Sequence, residues 1–132
     1  KPHLQLAALC WRKSGKGVEV LLVTSSNGRW ILPKGWPIDG KSPAEAALVE
    51  AWEEGGVKKG RVSKKPLGEF DSVKCLDDGR EEPCRIRVFE VKVAKVAGDY
   101  PEADRRDRRW VSPEAACALV TDEGLKTILR RL

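Results

Sequence analysis

Several residue types are scarce in this 132-residue chain, and each scarcity narrows the possible functions. The chain has no methionine and begins at Lys1, so we expect that its natural N-terminus has been trimmed or renumbered. His3, the only histidine, opens an apolar run, which favours a strand-edge residue over a catalyst. The four cysteines show no C-x-x-C spacing, which argues against a zinc site.

Long apolar runs and targeting signals are also missing. No run approaches the roughly 18 residues of a membrane span, and no signal peptide is visible. We therefore expect a cytoplasmic protein whose cysteines stay reduced, even if Cys75 and Cys84 face each other across a hairpin. Hydrophobic residues make up 41% and charged residues 34% of the chain, which fits one globular domain over residues 1–132.

Charge of one sign is only modestly in excess. The net charge of +5 suits a small polyanionic substrate, but it is equally compatible with ordinary solubility. The most basic segment, DRRDRR at 104–109, alternates with aspartates, and no aromatic and basic residues interleave as in RNA-recognition modules. A nucleic-acid or membrane partner is therefore not expected. The oligomeric state stays open.

The segment before residue 57 has strong helix signals. Ser42 is a good N-cap, proline follows it, and Glu45 completes an S-x-x-E capping box. Gly55-Gly56 ends the alanine-rich stretch. The sequence therefore predicts a helix from Pro43 to about Glu54.

Three carboxylates share one face of this helix. At roughly 100° per residue, Glu50, Glu53 and Glu54 fall within an arc of about 100°. Within the helix, no Lys or Arg stands three or four residues away to relieve their repulsion. A hard divalent cation such as Mg²⁺ or Mn²⁺ would do so. The alternative is a solvated acidic face. The preceding Gly/Pro loop, Leu32 to Pro37, favours the metal because it can bring carbonyls and a lysine close to a bound phosphate.

The rest of the chain reads mostly as strands. Apolar runs predict strands at 3–11 and 18–24, and alternation predicts a hairpin of 67–74 and 84–94 around a loop at 76–83. A phase slip near Phe89-Glu90 suggests a bulge. Residues 60–65 read as a polar connector, and 108–111 as a short strand. Helices are predicted from Ser112 to about Val120 and from Glu123 to Leu132.

At this point the residues resemble a known family. The pattern G-x5-E-x7-R-E-U-x-E-E-x-G-U, with U aliphatic, is the Nudix box of Mg²⁺-dependent pyrophosphohydrolases. Residues 35–57 match it at Gly35, Glu50, Ala51, Glu53, Glu54, Gly56 and Val57. Lys41 replaces the first Glu and Val49 replaces the Arg. In the family these two are thought to pair, so their joint replacement suggests a structural ion pair lost as a unit.

The resemblance extends beyond the box. The segments AALCWR, VLLVTSS, RWILPKG and RRWVSPEAA resemble the Nudix branch of diphosphoinositol polyphosphate and diadenosine polyphosphate hydrolases. This resemblance implies an α/β fold, the Nudix-type α/β/α sandwich with a mixed β-sheet. The predicted order of strands and helices agrees with that architecture.

The resemblance also implies roles for the carboxylates. Glu50 and Glu54, an i,i+4 pair, are expected to be metal ligands, with the Gly35 carbonyl as a further ligand. Glu53 is expected to accept a proton from the attacking water. A fourth carboxylate from the loop before the last strand is common in the family, and Glu102 is the candidate here.

Four residues are candidates for binding the substrate. Arg12, Arg29 and Lys34 are expected to contact its outer phosphates, with ordinary surface charge as an equally open alternative. Trp36 follows the box glycine and is placed to stack on a base, whereas Trp52 on the helix is expected in the core.

The sequence therefore predicts a divalent-metal-dependent pyrophosphohydrolase acting on a dinucleoside polyphosphate. The inositol-binding relatives carry basic residues where this chain has His3, Gln5 and Asn27, which weakens that reading. Diphosphoinositol polyphosphates, oxidised nucleoside triphosphates, ADP-ribose and capped RNA ends remain alternative substrates. Outside the enzyme class, the alternatives are a catalytically silent nucleotide-binding Nudix domain and, less favoured, a nucleic-acid-binding module.

Overall fold

The computed structural model describes residues 2–15, 17–76 and 78–132. These residues form eight strands and three helices: β1 (His3–Ser14), β2 (Gly17–Thr24), β3 (Trp30–Ile31), β4 (Lys34–Gly35), α1 (Pro43–Gly55), β5 (Val57–Val62), β6 (Gly68–Cys75), β7 (Glu81–Val96), β8 (Arg108–Val111), α2 (Pro113–Leu119) and α3 (Glu123–Leu129). Helix α1 begins and ends within one residue of its prediction, and the hairpin of β6 and β7 is confirmed. Asp77, in the predicted hairpin loop, lies outside the described residues.

All the strands belong to one sheet, whose central order is β3-β2-β1-β7-β5. Strand β4 pairs with β1, β6 with β7, and β8 with β2. Strands β1 and β7 run parallel and the other pairs run antiparallel, so the sheet is mixed. This pairing brings the first strand next to a strand that follows it by some eighty residues.

Helices cover both faces of the sheet. On β1, Leu6, Ala8 and Cys10 point to a core that also contains alanines of α1. Ala7 and Leu9 point the other way, to a core formed with α2 and α3. All five residues are fully buried, as expected for a central strand with helices on both sides. The predicted α/β/α sandwich with a mixed β-sheet is confirmed.

Strand β7 changes its buried face along its length. Ile86 and Val88 belong to the core beneath α2 and α3, whereas Phe89 and Val91 belong to the core beneath α1. The register with β1 is unbroken from Cys84 to Lys92, so the predicted bulge near residue 89 is wrong. The slip in the pattern arises because a different face of the strand is buried. The register shifts instead where β7 meets β5, near Lys59.

Other expectations also fail locally. The polar connector at 60–65 is in part the edge strand β5, and Lys34–Gly35, expected in a loop, pairs with β1 as β4. The last helix ends at Leu129 rather than Leu132. Cys75 and Cys84 do not face each other, because their register partners are Glu81 and Ser72.

Candidate active site

The start of α1 is fixed by local hydrogen bonds. The Glu45 backbone N–H donates to Ser42 Oγ at 3.2 Å, and the Ser42 N–H donates to Glu45 Oε1 at 2.7 Å. At the other end Gly56 adopts a left-handed conformation with φ of 73°, and its N–H bonds back to the helix. Both termini are thus defined by sequence, which fixes the direction in which the helix presents its carboxylates.

Gly35 and Glu50 are in direct contact. Gly35 is held in β4 opposite Leu6 of β1. A Cβ atom added to Gly35 would lie 2.5 Å from Glu50 Cδ and 2.6 Å from Oε2. The absence of a side chain at residue 35 is therefore what allows the carboxylate to lie against the backbone of β4.

Glu54 is the most enclosed carboxylate of the group. Its side chain is buried, with 5% of the residue exposed. Oε1 accepts the Lys34 backbone N–H at 3.1 Å, and Oε2 lies 3.3 Å from Arg106 Nη2. Burial raises the pKa of Glu54 to about 8, although the Arg106 charge opposes the shift. The free energy of an isolated buried carboxylate is high, so this group holds a proton or requires cations.

The neighbouring carboxylates affect one another. Burial raises the pKa of Glu50, and the charge of Glu53 adds to the increase. The charge of Glu50 also raises the pKa of Glu54. A divalent cation would offset this repulsion, and carboxylate and carbonyl oxygens are the ligands that Mg²⁺ and Mn²⁺ prefer. The Glu50 and Glu54 carboxylates therefore fit such an ion, and the backbone of Gly35 lies next to Glu50.

The cluster is not a preassembled cage. Within residues 2–15, 17–76 and 78–132, no three His, Cys, Asp or Glu side chains are gathered closely enough to hold an ion by themselves. Glu50 and Glu54 supply two carboxylates, and backbone oxygen or water must complete any coordination shell.

Glu50 and Glu54 line a cavity of about 320 Å³. Its lining also contains the polar residues Ser25, Ser26 and Asn27. Four cations complete the charged part of the lining: Arg29, Lys34, Lys74 and Arg106. One cavity thus combines carboxylates with cations, which suits a phosphate chain that is bound partly through an ion and partly through side chains.

The ammonium group of Lys34 is held by a side chain of strand β1. Its Nζ donates to Gln5 Oε1 at 2.9 Å, and the Cys84 thiol donates to the same oxygen at 3.3 Å. Burial lowers the pKa of Lys34, and the nearby charge of Lys74 lowers it further. An anionic substrate would offset both effects, because it supplies the negative charge that this lysine lacks.

Trp36 lies at the mouth of the cavity with 45% of its surface exposed. The His3 ring meets it edge-on, with 5.6 Å between centroids. His3 Nε2 lies 2.6 Å from Glu82 Oε2, so its second contact is with a hairpin residue. His3 is at the exposed start of β1, in agreement with its assignment as a strand-edge residue.

The sequence-predicted residues are thus only partly brought together. Gly35, Glu50, Glu54, Arg29, Lys34 and Trp36 line the cavity. Glu53 is half-buried beside it, and its carbonyl accepts the Glu102 N–H at 2.9 Å. Glu102 also lies outside the lining, and its Oε1 accepts Arg106 Nε at 2.8 Å.

Arg12 is remote from the cavity, so its expected contact with substrate phosphates is not supported. It follows Leu6, the partner of Gly35, by six residues on an extended strand, a distance of about 20 Å. Its guanidinium pairs with Glu19 and stacks over Trp110, 4.1 Å from the ring centroid. The placement of Trp52 in the core is also wrong, because it is partly exposed and lines a separate groove with Lys41 and Val49.

Sequence reasoning did not assign Gln5, Lys74 and Arg106 to the site. Gln5 and Lys74 come together because β1 and β6 both pair with β7. The hairpin of β6 and β7 has a local signal, but the parallel pairing of β1 with β7 has none. Arg106 belongs to the DRRDRR segment, whose charge alternation was the only indication of structural ion pairs.

Comparisons with known proteins agree with the fold and the box. Nudix hydrolase 12, mitochondrial, of Arabidopsis thaliana is 37% identical over 116 residues, covering 85% of this chain and 57% of the relative. Diphosphoinositol polyphosphate phosphohydrolase 3-beta of Bos taurus is 34% identical over 114 residues, covering 83% of this chain and 64% of the relative. The chain thus spans between 57% and 64% of the length of these relatives.

Among solved structures, a C. elegans Ap4A hydrolase matches with a TM-score of 0.74 at 16% identity, covering 99% of this chain and 96% of that one. At this identity the match shows the fold alone. None of the described helices is both long and apolar enough to span a bilayer. The cytoplasmic location stays a prediction.

The family assignment rests on the whole chain. A model described as the NUDIX domain matches residues 1–132. The relatives above include both a Nudix hydrolase and a diphosphoinositol polyphosphate phosphohydrolase, so the resemblance inferred from the box and its flanking segments is confirmed. The chain therefore belongs to the NUDIX domain family.

Proposed function

We propose that residues 1–132 form a single hydrolase domain that cleaves a phosphoric anhydride bond with the help of Mg²⁺ or Mn²⁺, and that its substrate is a dinucleoside polyphosphate. The observation that carries this proposal is a single cavity lined by both carboxylates and cations. Glu50 and Glu54 are its carboxylates, and Arg29, Lys34 and Lys74 are basic side chains of the same lining. Membership of a family of pyrophosphohydrolases supports the class of reaction.

Different carboxylates are proposed to bind the metal ion and to accept the proton. Glu50, Glu54 and the Gly35 carbonyl are proposed to hold the ion, with Glu102 as a further candidate. A bound divalent ion neutralises the developing phosphoryl charge and polarises the anhydride. Glu53 is proposed to accept a proton as water attacks phosphorus and the P–O anhydride bond breaks. Glu53 directly precedes Glu54 on α1 and is only partly buried.

The basic side chains Arg29, Lys34 and Lys74 are proposed to bind the phosphates that do not react. Lys34 is oriented by Gln5, so it points to a defined place in the cavity rather than into solvent. Arg29 and Lys74 are close enough to influence the Lys34 pKa, so the three cations form one positive region. A chain of several phosphates gains more from this region than a diphosphate does.

Trp36 supports a nucleotide over an inositol phosphate. Its exposed ring at the cavity mouth provides a surface on which a base can stack, worth about 1–3 kcal/mol. A diphosphoinositol polyphosphate is the second candidate. It is favoured by the identity to the bovine relative and by the four cations in the cavity lining.

The replaced box residues do not favour a catalytically silent domain. Lys41 and Val49 line a groove with Trp52 and none of the three lines the cavity. Their change therefore leaves the proposed metal-binding and phosphate-binding groups in place.

The experiment is phosphate-product release in Mg²⁺ and in Mn²⁺ across a panel of substrates. The panel contains diadenosine tetra-, penta- and hexaphosphate, ADP-ribose, an oxidised nucleoside triphosphate and a diphosphoinositol polyphosphate. Wild type is compared with Glu53→Ala, and Trp36→Leu is compared with Trp52→Leu, which changes a tryptophan outside the cavity.

We expect turnover of dinucleoside polyphosphates that Glu53→Ala abolishes, and a KM increase in Trp36→Leu but not in Trp52→Leu. Selective cleavage of the inositol substrate, unaffected by Trp36→Leu, would establish the second candidate. No cleavage of any substrate with either ion would overturn the proposal of an enzyme.

A further inference from the structure

Arg106 makes three side-chain contacts beside the carboxylates of the cavity. Its Nη2 lies 3.3 Å from Glu54 Oε2, and its Nε donates to Glu102 Oε1 at 2.8 Å. Its Nη1 donates to the Thr24 carbonyl at 2.8 Å. One half-buried guanidinium thus contacts a carboxylate from helix α1, a carboxylate from its own loop between β7 and β8, and the end of strand β2.

Helix α1 supplies no cation of its own. The sequence from Pro43 to Gly55 contains no Lys or Arg, although it ends with the group Glu50, Glu53 and Glu54. In the part of the chain that the structure describes, Arg106 is the one ion-pair partner of Glu54 and also of Glu102. It therefore provides the positive charge that the helix lacks.

The loop that carries Arg106 does not depend on this side chain for its position. The Glu102 N–H donates to the Glu53 carbonyl at 2.9 Å, which ties the loop to the end of α1. The Thr24 N–H donates to the Asp107 carbonyl at 3.1 Å, and the Asp107 N–H donates to Thr24 Oγ1 at 2.9 Å. Removal of the guanidinium should leave these backbone contacts in place, so its main contribution is charge.

We propose that Arg106 is an internal counter-cation that occupies Glu54 and Glu102 in the metal-free protein, and that a divalent ion must displace it to bind. Arg106 therefore sets the ion concentration at which the site fills. This inference rests on the proposed metal site. Its observed basis is the pairing of one guanidinium with both carboxylates, Glu54 and Glu102.

The two cations compete for the same oxygens, which gives the effect of a substitution a definite sign. Arg106→Gln removes one positive charge beside the site. With the repulsion between this charge and Mn²⁺ taken at the dielectric constant of water, the dissociation constant for Mn²⁺ should fall about tenfold. The same variant removes the ion-pair partner of both Glu54 and Glu102, so the metal-free protein should unfold at a lower temperature. A saturating ion should restore the unfolding temperature, because it supplies the missing charge.

The experiment measures Mn²⁺ binding by titration calorimetry and the unfolding temperature in EDTA and in saturating Mn²⁺. Arg106→Gln is compared with Arg106→Lys and with Arg105→Gln. Arg105 is the exposed neighbour, so its substitution makes the same change in net charge away from the carboxylates. Arg106→Lys keeps the charge but not the two-sided contact, and it keeps the test decisive if the glutamine variant fails to fold.

We expect tighter Mn²⁺ binding and a lower metal-free unfolding temperature in Arg106→Gln, intermediate values in Arg106→Lys, and wild-type values in Arg105→Gln. Weaker or unchanged Mn²⁺ binding in both Arg106 variants would overturn the proposed role of Arg106 as a counter-cation. If the wild-type protein itself bound no Mn²⁺, the proposed metal site would be wrong. That result is distinguishable, because it does not depend on any Arg106 variant.

Discussion

The contact between Gly35 and Glu50 allows the site to be perturbed without disturbing the fold. Gly35→Ala adds one methyl group whose nearest neighbours are all carboxyl atoms of Glu50, at 2.5, 2.6 and 2.8 Å. The backbone of Gly35 is not in the left-handed region, so alanine introduces no strain there. The carboxylate must move by about 1 Å to reach an ordinary van der Waals distance of 3.4 Å or more.

The expected magnitudes separate activity from stability. The Glu50 carboxylate is the end of a flexible side chain, so the cost in unfolding free energy should be about 1 kcal/mol, the lower end for an overpacked site. That corresponds to roughly 3–5 °C in Tm for a chain of this size. A 1 Å displacement at a reacting site can cost about 100-fold in rate, so kcat/KM should fall to that extent.

The assay compares kcat/KM, Mn²⁺ affinity and Tm of Gly35→Ala with those of Gly98→Ala. Gly98 has no heavy atom within 4 Å of an added Cβ and no positive φ, so its substitution should be neutral. Wild-type activity and Mn²⁺ affinity in Gly35→Ala would refute the proposed role of Glu50 as a metal ligand. A loss of stability far above 1 kcal/mol would show that the cost is not confined to one carboxylate.

Three further predictions follow from the same geometry. Burial raises the folded-state pKa of Glu54 to about 8, above its value in an unfolded chain, so protonated Glu54 stabilises the metal-free fold at low pH and this contribution is lost as pH rises through about 8. Thermal unfolding in EDTA from pH 5 to 9 measures this loss. A Glu54→Gln variant whose unfolding temperature depends on pH as the wild type's does would contradict it. Lys34→Met should raise KM about tenfold or more through the loss of one charged hydrogen bond while Tm stays nearly constant, which steady-state kinetics and calorimetry test together. The free energy of unfolding of the double variant Lys41→Glu, Val49→Arg should exceed the value expected from the two single variants by up to about 1 kcal/mol, because the new side chains form an ion pair in their groove. A double-mutant cycle in urea measures this coupling, and additive changes would contradict the ion pair.

The sequence predicts what local chemistry determines. Helix α1 was placed to within one residue because the capping box at Ser42 and the glycine pair after Glu54 define both ends without reference to the rest of the chain. The shared direction of Glu50 and Glu54 followed from the helical repeat. The buried strands β1 and β2 were evident because both of their faces are apolar.

The sequence does not predict what distant pairing determines. Strand β5 was missed because its residues at a sheet edge are mostly polar and resemble a connector. The alternation of β7 does not reveal its phase, because its buried face changes from the core beneath α2 and α3 to the core beneath α1. The cavity lining gains three side chains only when β1, β6 and the loop before β8 are in place: Gln5, Lys74 and Arg106. No local sequence pattern therefore predicts that they line the cavity.

The parallel pairing of β1 with β7 also has a consequence for synthesis and folding. His3 lies opposite Cys84 and Trp11 opposite Lys92, so each position of β1 must find a partner that the ribosome adds much later. Closing such a long segment before any contact stabilises it is entropically costly and slows folding. Until Lys92 has emerged, the apolar Leu6–Cys10 stretch, which is fully buried in the finished protein, lacks its central neighbour. We therefore expect the nascent chain to expose this stretch, and to bind chaperones that recognise apolar segments, until β7 has emerged.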